Sequence, residues 1–154
     1  MKILIVYDTS SVNRNTEKVA KAINDVLKEK RFDVDCSYVK DTNPANVRGY
    51  DCVLAGSPTQ AFRATKPIME FLDGFAKDEF SGKLAAAFDT QVQSRMSGNA
   101  AKGIEKNLEK LGFKIVAEPL VTYVEGAQSS LQLKSGEIDK IRNWTEELAK
   151  TLSK

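Results

Sequence analysis

A doubly wound α/β fold, in which helices cover both faces of a parallel sheet of about five strands, is predicted by two features of the sequence. Strand-like apolar runs alternate along the chain with segments whose apolar residues recur at helical spacing. The first run, Lys2–Tyr7, is apolar without alternation, as expected for a central strand that is covered on both faces. Strands that alternate with helices favour right-handed crossovers, and therefore parallel neighbours.

The first half of the chain divides into three predicted strands and one helix. After the central strand, residues 17–30 place apolar side chains on one face of a helix. Residues 32–38 alternate between apolar and polar side chains, which predicts an edge strand. Residues 41–48 contain a proline and two asparagines and form at most a short helical turn. Residues 51–56 are again apolar and predict a second interior strand.

The middle of the chain predicts two polar loops that flank a helix and a strand. Residues 57–66 lack periodicity and are expected to form a loop, and Pro67 then suits the first turn of a helix. The apolar side of that helix is formed by Ile68, Met69, Phe71, Leu72 and Phe75. Residues 84–88 are small and apolar, as in a strand pressed between helices, and a polar loop is expected over residues 89–99.

The last third of the chain predicts two helices separated by an extended segment. Residues 100–111 show helical periodicity that Gly112 ends. Residues 113–124 are extended, and Pro119 predicts an edge position or a bulge because proline removes a ladder hydrogen bond. Ser135 is predicted to cap the final helix. The buried stripe of that helix is formed by Ile138, Ile141, Leu148 and Leu152.

Length and composition indicate one globular domain over residues 1–154. The hydrophobic fraction is 42% and the charged fraction 29%, as in a soluble protein. No apolar run approaches the roughly 20 residues of a membrane helix, and no leader precedes the first strand. We therefore expect a cytoplasmic protein that does not bind a membrane.

The chemistry of the side chains points to a cofactor rather than to catalytic residues. The sequence has no histidine, and its two cysteines lack a metal-binding or redox spacing. The 23 basic and 21 acidic residues are well mixed along the chain and give a net charge of +2. Nucleic-acid binding is therefore not expected.

The loop after the first strand is rich in hydrogen-bond donors. Ser10, Ser11, Asn13, Asn15 and Thr16 lie where a helix N-terminus also offers unpaired N–H groups and the positive end of its dipole. This combination favours an anion such as phosphate. Alternatively, Asn13 or Asn15 caps the helix and the serines are solvated. In the predicted sheet, the polar loops after residues 7, 56 and 88 meet at one edge, where ligands bind in such folds.

Three motifs, in order, resemble those of the flavodoxin-like domains, including those fused to diiron flavoproteins. YDT at residues 7–9 and NTEKVA at residues 15–20 resemble the first strand, phosphate loop and first helix. GSPT at residues 56–59, with Phe62 and the TKP that follows, is similar to the first loop that flanks the flavin ring. AAFDT at residues 86–90, with Ser97 and Gly98, resembles the second ring-flanking loop.

This resemblance implies a sheet of strand order 2-1-3-4-5 in three α/β/α layers and a non-covalently bound FMN. The residues implied at the phosphate are Thr9, Ser10, Ser11, Asn13, Asn15 and Thr16, with Arg14 as a further candidate. Those implied on one side of the flavin ring are Ser57, Pro58, Thr59, Gln60, Ala61 and Phe62. Those implied on the other side are Asp89, Thr90, Gln91 and Gly98.

The chain departs from the family pattern in two places. Family loops usually place a glycine before the Asn-Thr pair and are shorter, whereas this loop has Val12, Asn13 and Arg14. A glycine permits close approach of the backbone and a positive φ, which valine or arginine adopts only at a cost. The ring loops lack Trp and Tyr, so Phe62 is the aromatic candidate and Met96 a polarizable one. Alternatively, Phe62 tucks under its own loop. Asp89 either makes the flavin surroundings electronegative or caps a helix or loop.

The leading hypothesis is an FMN-binding electron carrier that serves a redox partner protein as a monomer or weak dimer. A second hypothesis is a flavodoxin-like interaction or regulatory domain that has lost FMN, which the missing glycine and aromatics would explain. A third is an FMN-dependent NAD(P)H:quinone-type reductase, although the chain shows no insertion for it. A phospho-receiver is disfavoured because Asp8 stands alone after its strand and Asp51 begins one.

Overall fold

The central sheet of the computed structural model, which describes residues 1–94 and 98–154, has the strand order β2-β1-β3-β5-β7-β8. The strands are β1 Lys2–Tyr7, β2 Asp33–Tyr38, β3 Cys52–Gln60, β4 Arg63–Ala64, β5 Leu84–Val92, β6 Lys114–Ile115, β7 Leu120–Glu125 and β8 Gln132–Leu133. The α-helices are α1 Asn15–Glu29, α2 Lys66–Asp73, α3 Ala100–Lys110 and α4 Glu137–Leu152. Two 3-10 turns, Val39–Asp41 and Pro44–Gly49, follow β2.

The five long strands are parallel, and their order confirms the predicted doubly wound fold. Counted along the chain, they follow the sequence 2-1-3-4-5 that the resemblance implies, with β2 at the predicted edge. Three short strands extend this frame. β4 folds back on β3, β6 lies beside β5, and β8 pairs antiparallel with β7.

The core consists of two apolar layers, one on each face of the sheet. Ile3 and Ile5 of β1 pack with α1 and α4, whereas Leu4 and Val6 pack with α2 and α3. All four side chains are buried, as the unalternating run predicts. Gly56 of β3 is opposite Phe88 of β5, and a Cβ at position 56 would lie 2.1 Å from the Phe88 ring. The glycine therefore makes room for the largest side chain in the centre of the sheet.

Strands β3 and β5 each continue four residues beyond their predicted ends, to Gln60 and Val92. The predicted loops over residues 57–66 and 89–99 were wrong at their beginnings, because the parallel register continues through Ser57 with Asp89 and Pro58 with Thr90. Polar residues are tolerated there because Ser57 and Asp89 are fully buried and hydrogen-bonded.

Several predicted boundaries also need correction. The extended segment over residues 113–124 is divided into β6 and β7, with Pro119 in the gap, where its missing N–H costs no ladder bond. Ser135 does not cap α4, since Gly136 takes the N-cap position with a φ of 88°. Ile138 lies outside the buried stripe and is exposed. Phe75 lies beyond the end of α2.

Neither cysteine is placed for redox chemistry. Cys52 is fully buried and Cys36 partly buried, and burial raises the pKa of their thiols to about 12 and about 11. Within the described residues, no helix is long and apolar enough to cross a bilayer.

Candidate functional site

A cleft of about 210 Å³ opens at the carboxyl ends of β1, β3, β5 and β7. It brings together many of the residues predicted from sequence, and it also includes four residues that the sequence analysis missed. The predicted ones are Ser10, Ser11, Asn15, Pro58, Thr59, Gln60, Thr90 and Gln91. The missed ones are Val92, Val124, Gln128 and Leu131. The strand order was the available signal for the last three, because it places the end of β7 at the same edge.

In the loop between β1 and α1, Arg14 occupies the position where the family pattern has a glycine. This residue adopts φ 51° and ψ 51°, the left-handed conformation, directly before α1 begins at Asn15. The Arg14 N–H donates to the carbonyl of Ser11 at 3.0 Å, and the Asn15 N–H donates to the Ser11 hydroxyl at 3.2 Å. Neither asparagine therefore caps the helix. Ser11 closes the turn through its carbonyl oxygen, and its hydroxyl accepts the first N–H of α1.

Several donors of this loop have no protein partner. Within the part of the chain that the structure describes, the N–H groups of Val12, Asn13 and Thr16 make no hydrogen bond. The hydroxyl of Thr9 is buried and also lacks a partner there. Buried polar groups are normally paired, so this hydroxyl and these N–H groups are available to an acceptor such as a phosphate oxygen.

The side-chain amides of the loop hold the connection between β7 and β8. Asn13 and Asn15 donate through Nδ2 to the carbonyl oxygen of Leu131, at 2.9 and 2.8 Å. This pairing orients the Asn15 amide so that its Oδ1 is buried and has no partner within residues 1–94 and 98–154. Thr16 is bonded to Thr90 through their hydroxyls at 2.8 Å, which ties the start of α1 to the end of β5.

The guanidinium of Arg14 is engaged by Glu17. Its Nε lies 2.8 Å from Glu17 Oε2, and the same carboxylate accepts a hydrogen bond from the Tyr7 hydroxyl at 2.7 Å. The Tyr7 bond, aided by Lys21 and Arg14, outweighs burial and lowers the pKa of Glu17. Arg14 thus shapes the loop through its backbone, while its charge is balanced by a protein carboxylate.

A two-residue hairpin between β3 and β4 forms the second wall of the site. Ala61 and Phe62 at its tip have φ values of 47° and 72°, a conformation that such hairpins require and that bulky residues rarely adopt. The Phe62 side chain is 63% exposed, so the alternative in which it tucks under its own loop is wrong.

The hairpin contacts the second ring-flanking loop through a bridge between Phe62 and Gly98. Gly98 has a φ of 77°, a backbone conformation that glycine adopts more readily than residues with a Cβ. Of the other residues named for this loop, Met96 and Ser97 lie outside the described residues. Across the mouth of the cleft, Gln60 Nε2 donates to the Ser10 hydroxyl at 2.5 Å.

A buried hydrogen-bonded chain joins the base of the hairpin to the base of the phosphate loop. The Thr65 hydroxyl donates to Asp8 Oδ2, and the Ser57 hydroxyl donates to Thr65 Oγ1 at 3.1 Å. The Thr65 N–H donates back to Ser57 Oγ at 2.9 Å. Ser57 therefore lies inside the protein and supports the hairpin, although it was predicted beside a flavin ring.

Asp89 caps a helix, which was one of its two predicted roles. Its Oδ2 accepts the Ala101 N–H near the start of α3 at 3.0 Å and the Gln91 Nε2 at 2.9 Å. The Thr59 hydroxyl accepts the Ala100 N–H at 3.0 Å beside it. Burial outweighs these hydrogen bonds and raises the pKa of Asp89 to about 6. Its Oδ1 is buried without a partner among the described residues.

Together these features define a class of protein: a doubly wound domain with a polar cleft and a helix start at the point where the strand order reverses, between β1 and β3. The family model described as flavodoxin matches residues 5–151. The chain belongs to the flavodoxin family.

Individual relatives support this assignment. An uncharacterised protein of Methanocaldococcus jannaschii is 31% identical over 118 residues, 77% of this chain and 73% of that protein. A second uncharacterised protein of that organism is 30% identical over 155 residues, 96% of this chain but only 36% of its own length. A probable flavodoxin 1 of Bacillus subtilis is 40% identical over 58 residues, 38% of this chain and 35% of that protein.

Solved structures share the fold at low sequence identity. Oxidised flavodoxin 2 from Bacillus cereus has a TM-score of 0.82 at 22% identity and covers 97% of this chain and 99% of its own. Rubredoxin oxygen:oxidoreductase from Desulfovibrio gigas has a TM-score of 0.77 at 19% identity, and its match covers 99% of this chain and 36% of its own.

Proposed function

We propose that this protein binds FMN in the cleft and carries electrons between partner proteins. The observation that carries the proposal is a set of donors that make no hydrogen bond within the described residues: the Thr9 hydroxyl and the N–H groups of Val12, Asn13 and Thr16. These groups suit a phosphate, because helix N-termini bind anions without needing a positive side chain. Membership of the flavodoxin family supports FMN as the source of that phosphate.

The unpaired atoms also suit the part of FMN next to its phosphate. Asn15 Oδ1 is an acceptor and cannot bind a phosphate oxygen, but it can accept a hydrogen bond from a hydroxyl. A ligand that carries both a phosphate and hydroxyls, as the ribityl phosphate of FMN does, satisfies both kinds of atom. The residues present therefore fit the group.

The cleft is too small to enclose the whole cofactor. Its volume of about 210 Å³ lies below the roughly 300–1,000 Å³ of pockets that bury a ligand of this size. The Phe62 hairpin and the loop that contains Gly98 would hold the flavin ring with part of it exposed. FMN supplies the redox chemistry, while the chain binds it, orients it and leaves an edge open to a partner.

Titration of FMN against the apo protein tests the proposal, with quenching of flavin fluorescence as the signal. Thr9→Val removes the unpaired hydroxyl at constant shape and should weaken FMN binding by roughly tenfold, the loss of one or two hydrogen bonds to a charged group. The matched control, Thr151→Val, removes an exposed hydroxyl in α4 and should leave the affinity unchanged. Equal affinities for both variants would remove Thr9 from the site.

A second candidate, an interaction domain that does not bind FMN, is favoured by the internal bonds of the loop. The Asn13 and Asn15 amides already hold Leu131, and Gln60 bonds Ser10 across the cleft. If these bonds persist in solution, FMN must compete with them. The same titration separates the two functions, because this candidate predicts no binding at tens of micromolar FMN.

A further inference from the structure

The charges around the mouth of the cleft are one-sided. In the chain as a whole, 23 basic residues nearly balance 21 acidic ones. The segments 9–14, 57–66 and 126–134 border the cleft and contain Arg14, Arg63, Lys66 and Lys134 but no aspartate or glutamate. Two carboxylates near these segments are buried: Asp8, which accepts from Thr65, and Asp89, which accepts from Thr59 and Gln91. Of the others, Glu17 pairs with Arg14, and Glu125 is exposed at the end of β7.

The hairpin side of this mouth holds the least compensated charge. Arg63 is exposed and makes no ion pair within residues 1–94 and 98–154. Lys66 lies 3.6 Å from Glu70, but both side chains are mostly exposed, so the pair contributes little. Lys134, on the other side, donates to the neutral Gln93 at 2.6 Å. Arg63 and Lys66 are therefore the basic side chains of this mouth that carboxylates compensate least.

Apolar surface accompanies these charges. Phe62 is 63% exposed next to Arg63, and its strained backbone is held by the contact with Gly98. Beside the hairpin, a groove of about 540 Å³ shares Lys66 and is lined also by Lys40, Pro67 and Phe71. The carboxylates at this groove are Glu70, which faces Lys66, and Asp41, next to Lys40. Exposed aromatic and basic residues are typical of docking surfaces.

We infer that this face, defined by Lys40, Phe62, Arg63, Lys66, Pro67 and Phe71, docks an acidic redox protein beside the flavin. The inference rests on the proposed function for the partner's redox role. The partner is inferred to be acidic because a basic face attracts acidic proteins and repels basic ones. Phe62 would supply the apolar contact at the centre of the interface.

Two paramagnetic, redox-inert ions test the charge of this face without needing FMN. Hexacyanochromate(III) is an anion and hexaamminechromium(III) a cation, and each broadens the amide resonances of the residues that it visits in the ¹⁵N-labelled protein. The anion should broaden residues 61–66 as well as the loop at residues 9–16 that is proposed to bind phosphate, and the cation should spare residues 61–66. Arg63→Glu should weaken the effect of the anion at this face by about two- to fivefold, as expected for loss of an exposed charge contact.

The matched control is Lys114→Glu, which makes the same change of net charge in β6, at the opposite end of the sheet. It should leave the broadening at residues 61–66 unchanged. A second probe tests the apolar contact. An oligo-aspartate peptide with a central leucine should bind more tightly than the same peptide with a central serine, and Phe62→Ala should remove the difference.

The outcomes separate this inference from the proposed function. If the anion broadens the amide resonances of the hairpin but the protein binds no FMN, the result would support an acidic partner and rule out the electron-carrier function. FMN binding with uniform broadening, or broadening that Arg63→Glu does not reduce, would overturn the docking face and leave the cofactor. Broadening that saturating FMN abolishes would show that these charges serve the cofactor itself, and would also overturn the inference.

Discussion

Gly98 and Phe62 are packed backbone against backbone, so that a Cβ at position 98 would lie 2.4 Å from the Phe62 carbonyl oxygen and 2.5 Å from its Cα. This contact joins the loop after β5 to the tip of the β3–β4 hairpin. The two walls predicted to flank a flavin ring are therefore one connected unit, which the absence of a side chain at Gly98 makes possible.

Gly98→Ala should separate these walls. The new methyl group clashes with backbone atoms that have no room to move, and it must also adopt a positive φ. We expect a loss of about 2–4 kcal/mol of stability, measured by urea unfolding. Gly103→Ala is the control, because Gly103 is exposed in α3 with open space around it. This variant should be about 0.5–1 kcal/mol more stable than the wild type. The same sign for both variants would contradict the contact.

The left-handed conformation of Arg14 predicts a gain from glycine. Arg14→Ala and Arg14→Gly both remove the ion pair with Glu17, so their difference isolates the backbone. The glycine variant should be about 1–2 kcal/mol more stable in urea unfolding, because only a residue with a Cβ pays the cost of positive φ.

Arg31 provides the matched position for that comparison, since it has a φ of 69° after the end of α1. Arg31→Gly should likewise exceed Arg31→Ala in stability. Only the substitutions at position 14 should change FMN affinity, because Arg31 is remote from the cleft. Equal stabilities of the alanine and glycine variants at position 14 would mean that the loop relaxes out of this conformation.

The buried chain from Asp8 through Thr65 to Ser57 predicts that Thr65→Val affects both loops. The variant removes a donor from a buried carboxylate, which should cost about 1–3 kcal/mol and weaken FMN binding. Thr145→Val is the control, because its equally buried hydroxyl bonds only to Ile141 in its own helix. It should cost less and leave FMN affinity unchanged. Matching affinities for both variants would show that the link does not position the site.

Burial of Asp89 predicts an unusual dependence of stability on pH. Its pKa is raised to about 6 in the folded protein, above that of an unfolded aspartate, so the folded state binds the proton more tightly between pH 4 and 6. Stability contributed by this group is therefore present at low pH and lost as the pH rises through 6. The loss is on the order of 2–3 kcal/mol.

The free energy of unfolding of the wild type minus that of Asp89→Asn, measured from pH 4 to pH 7, isolates this group from the other carboxylates. The difference should fall as the pH rises. A flat difference would mean that Asp89 is not desolvated in solution, and a rising one would mean that its hydrogen bonds outweigh burial.

The sequence was sufficient for the frame of the fold and less so for the ends of the strands. The apolar run of β1 matched its predicted bounds, because both faces of that strand are covered. The sequence predicts loops at the ends of β3 and β5, because Ser57 and Asp89 are polar. Their burial depends on Thr65 and Ala101, which are distant in sequence and become neighbours only in the folded protein.

The candidate site was predictable in its location and not in its internal bonds. Polar residues after three strands predicted a site at the edge of the sheet where the cleft opens. The partners of Asn13 and Asn15 could not be foreseen, because Leu131 approaches them through its carbonyl group, which every residue has. Likewise, the resemblance indicates that Arg14 replaces a glycine of the family pattern, but the sequence does not show that Arg14 adopts the left-handed conformation.

Titration of the purified apo protein with FMN tests the central claim most directly. Quenching of flavin fluorescence and the shift of the flavin absorbance bands monitor the binding. The unpaired groups at Thr9 and Asn15 predict saturable one-to-one binding below tens of micromolar, and a yellow protein that retains FMN on desalting. A colourless protein with unchanged flavin fluorescence at that concentration would contradict the account and leave an interaction domain on the same fold.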